Sequence, residues 1–151
     1  MFLGLVLFFT TVLTTDGYEC QTITLNECKN NFPYNETIMP NVLGHQSQNV
    51  AKAQSLALMS FNNVCGVNYR NFLCVMYVPV CTVLEMAIPP CRDFCTVAKR
   101  DCEHVLNNAG IQWPDDMNCS KFPLTGLCID VMVPISGKDY LKTTFRLRLF
   151  I

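Results

Sequence analysis

Residues 89–110 read PPCRDFCTVAKRDCEHVLNNAG, and this stretch decides the fold because it sets three of the ten cysteines on one helix. Pro90 suits a first helical position, where a missing N–H costs nothing, and Gly110 suits a left-handed cap just past the last turn. At about 100° per residue, Cys91, Cys95, Ala98, Cys102, Val105, Leu106 and Ala109 fall in one stripe. Arg92, Asp93, Lys99, Arg100, Glu103 and Asn107 fall outside it. The expected element is a helix that buries its cysteine face and shows its reverse to water.

The cysteines set the compartment. Ten in 151 residues, an even number at this density, belong to an oxidising environment, and five disulfides would use them all. Ten cysteines allow on the order of a thousand pairings, so the sequence alone does not choose among them. Zinc is the rival use, but Cys91, Cys95 and Cys102 form no CxxC knuckle and only His45 and His104 could assist. The apolar opening, MFLGLVLFFTTVLTT, is too short for an ordinary membrane span and ends in a polar break at Asp16-Gly17. It reads as a secretory signal over residues 1–17, with an N-terminal core strand as the competing reading. A formal net charge of -1 without any basic run argues against nucleic acid as a partner. The length fits one domain with a real core.

Residues 18–28 (YECQTITLNEC) alternate loosely and suggest a short edge strand held at both ends by cysteine. Residues 32–45 (FPYNETIMPNVLGH) read as a structured loop that carries the N-glycosylation sequon Asn35-Glu36-Thr37. Residues 46–64 contain no proline or glycine and read as a second helix, with Val50, Ala53, Ala57, Phe61 and Val64 on its core stripe. Leu58 and Met59 lie off that stripe, an apolar excess that asks for a second packing partner or a ligand surface. Residues 65–81 (CGVNYRNFLCVMYVPVC) read as a compact cross-linked segment in which Pro79 limits any regular element. Asn118-Cys119-Ser120 is a second sequon, whose central cysteine lowers its expected use. Residues 129–151 read as a loosely ordered tail. Its Phe145, Leu147 and Leu149 alternate with Arg146 and Arg148 as in a strand, yet no earlier segment is an evident partner.

Taken in order, YNETIMPNVLGH, NFLCVMYVPVC, PPCRDFCTVAKRDC and WPDDMNCSKFP resemble a Frizzled-type cysteine-rich domain over about residues 19–128. The resemblance implies a mainly α, small disulfide-rich helical domain with a short β-strand pair and five disulfides. The implied pairs are Cys20 with Cys81, Cys28 with Cys74, Cys65 with Cys102, Cys91 with Cys128, and Cys95 with Cys119. The implied plan is a signal peptide at 1–17, the domain at 18–128 and a divergent tail at 129–151.

Domains that share this pattern bind Wnt lipoproteins, holding the Wnt acyl chain in an apolar groove and a Wnt loop at a second patch. By position the groove is Ala57, Leu58, Phe61 and Val64, facing Ala109, Ile111 and Met117. The second patch is Met76 and Val80, with Asn71 where the family usually has an aromatic residue. Asn35 and Asn118 are the glycosylation positions. The resemblance implies a secreted or cell-surface protein and no cofactor. The chain reaches Ile151 without a membrane span or transducing segment, which leads to the expectation of a soluble decoy, or of a receptor ectodomain if it is a fragment. The alternative is a carrier of free fatty acid or sterol, and a second copy of the domain is a further partner class. An enzyme is disfavoured, because paired cysteines leave no thiol nucleophile and His45 and His104 lack a catalytic setting.

Overall fold

The computed structural model describes residues 18–29, 32–132 and 144–147, so the expected signal over residues 1–17 lies outside the described residues. The chain order is β1 (Gln21–Thr22), α1 (Asn26–Lys29), β2 (Glu36–Thr37), α2 (Gln48–Met59), α3 (Asn62–Cys65), α4 (Val67–Tyr77) and α5 (Arg92–Asn108). Two 3-10 turns, Asp115–Met117 and Cys119–Lys121, lead to β3 (Ile129–Met132) and β4 (Thr144–Leu147). The fold is mainly helical.

The helix that organises the sequence is α5. Its N-cap is Cys91, which corrects the expectation that Pro90 opens the helix. Pro90 instead bridges to Ile129. There Cys91 N–H donates to the Ile129 carbonyl at 2.8 Å and Ile129 N–H to the Pro89 carbonyl at 2.9 Å, so the N–H that proline lacks is never needed. At the other end Gly110 takes φ +75°, its N–H donates to Asn107 O, and Ile111 N–H donates to Leu106 O. That pair of bonds is a Schellman stop. Cys95, Ala98, Cys102 and Leu106 are buried as expected, and Phe94 joins them. Val105 is half-buried and Ala109 exposed, because the stripe ends where the helix does.

Helix α4 forms within residues 65–81, where Pro79 leads to the expectation of no regular element. Pro79 ends this helix rather than preventing it, since the restriction that proline places on Val78 acts only past Tyr77. Eight of its residues, from Tyr69 to Tyr77 with Arg70 excepted, are buried. A helix apolar on nearly every side belongs at the centre. Here α5 covers one side, while α1, α2 and α3 cover others. Phe72 at its middle stacks on Trp113 with centroids 5.8 Å apart and meets Phe94 and Phe122 edge-on.

Helix α2 turns the opposite face inward from the one expected. Ala51, Ser55, Leu58 and Met59 are buried, whereas Val50, Ala53 and Ala57 are exposed. The expected single helix also breaks at Ser60-Phe61 and restarts as α3, leaving Phe61 half-buried and Val64 exposed. The physical reason is close approach to α4: small Ala51 and Ser55 face it, and the buried Ser55 hydroxyl is satisfied by donating to Lys52 O at 3.0 Å.

Five disulfides link these elements: Cys20–Cys81, Cys28–Cys74, Cys65–Cys102, Cys91–Cys128 and Cys95–Cys119. Strands β1 and β2 pair antiparallel with Gln21 opposite Thr37, and Thr37 also bridges to Val80. Strands β3 and β4 pair antiparallel with Ile129 opposite Leu147. Phe145, Arg146 and Leu147 of the alternating set thus find their partner just after Cys128, while Arg148 and Leu149 lie outside the described residues. This differs from the expectation of a loose tail without one.

Candidate functional site

The candidate groove residues divide sharply by burial. Val64 is 69% exposed, Ala57 and Ala109 are exposed, and Phe61 and Ile111 are half-buried. Leu58, Met76 and Met117 sit in the core, Met76 with no exposed surface at all. These three are therefore removed from any surface in this structure. Leu58 lies on the α2 face that meets α4. Met76 faces inward because its segment is a helix enclosed by its neighbours, and Met117 sits beneath the 3-10 turn where Trp113 Nε1–H donates to its carbonyl at 2.8 Å. Asn71, next to the second candidate patch in sequence, is also buried, and its Oδ1 finds no partner among the described residues. Val80 is half-buried beside Thr37.

What remains on the surface forms a coherent chemistry along α2, α3 and the start of α4. Residues 53–69 contain no charged side chain. Within them Leu56, Val64 and Val67 are large exposed hydrophobics, and Ala57 and Phe61 lie between. Leu56 and Val67 escape the stripe analysis. The signal that could have found them is the charge-free run itself, since a helical surface without a charge in seventeen residues is unusual for a face in water.

This face is held by its surroundings. The Cys65–Cys102 disulfide fixes α3 to α5, and the Tyr69 hydroxyl fixes the end of α2 by donating to Leu58 O. Gly66, at φ +85°, makes the turn from α3 into α4 in a conformation that side chains rarely adopt. The Schellman stop places Ile111 at the end of α5, packed against the core. Such a surface offers dispersion and desolvation to an apolar ligand, with its charges at the edges: Lys52 and Arg70 flank it in sequence, and Asp101 of α5 accepts from Asn68 Nδ2–H at 2.8 Å. Burial raises the phenol pKa of Tyr34, Tyr69 and Tyr77, which marks tyrosines packed in the core (Tyr69, Tyr77) or against it (Tyr34) and hydrogen-bonded to backbone carbonyls. Both sequon asparagines, Asn35 and Asn118, are exposed.

A helical domain stapled in this pattern is matched by the family model described as Fz domain, over residues 20–126. The chain belongs to the Fz domain family. Protein mom-5 of Caenorhabditis elegans is 43% identical over 128 residues, covering 80% of this chain and 22% of that protein. Frizzled-1 of Xenopus laevis is 43% identical over 125 residues, again covering 80% of this chain and 22% of the relative. This Fz domain chain thus spans about a fifth of the length of the curated relatives it matches. Among solved structures, the crystal structure of the Smoothened CRD (selenomethionine-labeled) matches with a TM-score of 0.52 at 23% identity, over 70% of this chain and 92% of that one. The likeness supports the fold. No helix among the described residues is long and apolar enough to cross a membrane. All ten cysteines of the chain are paired, the chemistry of an extracellular or cell-surface setting.

Proposed function

We propose that this Fz domain is an extracellular ligand-binding module that receives the acyl chain of a Wnt lipoprotein on the charge-free face of α2 and α3. The observation that carries this reading is the exposed apolar set Leu56, Ala57, Val64 and Val67 with half-buried Phe61, on a disulfide-braced frame whose own residues 53–69 carry no charge. Ala109 and Ile111, at the end of α5, are the residues expected to close the groove. Burying an acyl chain contributes about 0.8 kcal/mol per methylene, so a long chain supplies most of the binding energy before ordering costs. Val80 is the surface member of the second patch, for a Wnt loop.

The domain plan that accompanies this reading is a signal peptide at 1–17, the binding domain at 18–128 and a divergent tail at 129–151, whose Ile129 packs into the core beside Pro90. Receptor ectodomain and soluble decoy share the same capture step, and the reading frame beyond Ile151 distinguishes them. The direct test of capture is binding of purified protein to acylated Wnt and to unacylated Wnt. Binding of the acylated form alone is expected. Equal binding of both overturns acyl-led recognition, and recovery of a free fatty acid or sterol with the purified protein supports the carrier reading instead.

A further inference from the structure

The finished fold holds both sequons, but with partners made at different times. Asn35 is exposed before β2, while the Thr37 of its sequon is buried and donates its hydroxyl to Pro79 O at 2.7 Å, a partner 42 residues downstream, and the neighbouring cysteine bridges also close onto residues made later. Asn118 is exposed as well, but its segment is clamped from several sides. Its Oδ1 accepts from Ser120 N–H at 3.1 Å and from the Ser120 hydroxyl at 3.0 Å, so the sequon is folded onto itself at the start of a 3-10 turn. The residue between them, Cys119, is bonded to Cys95 in the first turns of α5. Arg92 then holds the carbonyls of Ser120 and Phe122 at 3.1 and 3.0 Å, and its own N–H donates to Pro123 O at 2.9 Å.

A glycosyl-transferring enzyme has to draw both the asparagine and the hydroxyl two residues on into its own pocket. A turn bolted to a helix through its middle residue cannot be drawn out that way. We propose that closure of Cys95–Cys119 ends the ability of Asn118 to accept a glycan, so the glycan is added there only to chains in which this pair is still reduced. In the transfer, Asn118 Nδ2 forms a bond to the anomeric carbon of a lipid-pyrophosphate-linked oligosaccharide. The bond from that carbon to the pyrophosphate oxygen breaks, and the amide gives up one proton to the enzyme. Asn118 is exposed in the finished fold, so an added glycan leaves the disulfide free to close afterwards.

The timing makes this a contest. With a separation of 24 residues and elongation at roughly 5–20 residues/s, Cys119 emerges about 1–5 s after Cys95. Ser120 completes the sequon one residue later, so glycan acceptance and disulfide closure become possible together. Disulfide formation takes seconds upward, and neither event is guaranteed to come first. Asn35 faces no such contest, because Thr37 completes its sequon before Cys74 and Cys81 have been made. The outcome is full use of Asn35 and a mixture of two glycoforms at Asn118.

The inference rests on entry into an oxidising secretory compartment, and glycosylation of Asn35 reports that entry in the same molecules. The full chain is translated with microsomes, with and without dithiothreitol, and glycopeptides from Asn35-glycosylated molecules are measured by mass spectrometry. Occupancy at Asn118 is expected to rise with reductant while Asn35 stays constant, and Cys95→Ser is expected to give the same rise without reductant. Unchanged occupancy at Asn118, or none in either condition, overturns the proposal. A rise with dithiothreitol that Cys95→Ser does not reproduce places the control in another disulfide and overturns it equally.

Discussion

The Tyr69 hydroxyl donates to the Leu58 carbonyl at 3.1 Å, joining the first turn of α4 to the last turn of α2 beneath the proposed binding face. Phe61 N–H donates to the same carbonyl at 3.1 Å, so the acceptor keeps one partner if the tyrosine loses its hydroxyl. Tyr69→Phe is therefore expected to lower stability by about 1 kcal/mol without unfolding the domain, as read from urea unfolding midpoints.

Burial separates two residues that the sequence grouped together. Leu58→Glu puts a charge into the α2–α4 contact, and loss of the folded circular dichroism signal is expected. Val64→Glu alters a side chain that is 69% exposed, so stability should stay within about 0.5 kcal/mol of wild type. Binding of acylated Wnt by Val64→Glu should nevertheless fall. Full binding by a folded Val64→Glu protein counts against the proposed face.

Asn71 is buried with its Oδ1 unpartnered among the described residues, and an orphaned buried acceptor carries its whole desolvation cost. Asn71→Leu, similar in volume and without polar atoms, is expected to raise stability by about 1 kcal/mol. Thermal melts of the two proteins check this, and a lower melting temperature for Asn71→Leu would show that the amide is satisfied in solution.

Burial raises the Tyr34 and Tyr69 phenols well above their usual range, with the neighbouring Tyr77 adding to the effect on Tyr69, and it pushes Tyr77 up to about 12. Unfolded phenols ionise near a pKa of about 10, so above that pH the unfolded chain has released protons that the folded chain still holds. The contribution of these tyrosines is complete below about pH 10 and is lost progressively above it, through about pH 12 for Tyr77. Urea midpoints should fall as pH rises from about 10 to 12, and phenolate absorbance from the three tyrosines should appear together with unfolding.

Legible in the chain alone were the full pairing of an even set of cysteines, though not which pairs with which, the cysteine face of α5 with its Gly110 stop, and likeness to a disulfide-stapled helical family. Each is a local or compositional signal: cysteine number and order, a 3.6-residue period with charges on its far side, and a glycine where the chain must turn left-handed. The tertiary structure decided which face of α2 is inside, that residues 67–77 are helical, and which apolar side chains remain at the surface.

Periodicity could not settle those points. Helix α4 is apolar nearly all round because neighbours enclose it, so it shows no polar face from which a period could be read. Helix α2 carries apolar residues on two faces, and hydrophobicity favours the stripe through Val50, Ala53 and Ala57. Packing favoured the other one. Ala51 and Ser55 are small enough to let α2 close on α4, which buries Leu58 and Met59 and leaves Ala57 and Val64 facing outward. The fit between two helices is a property of the pair, and no single stretch of the chain contains it.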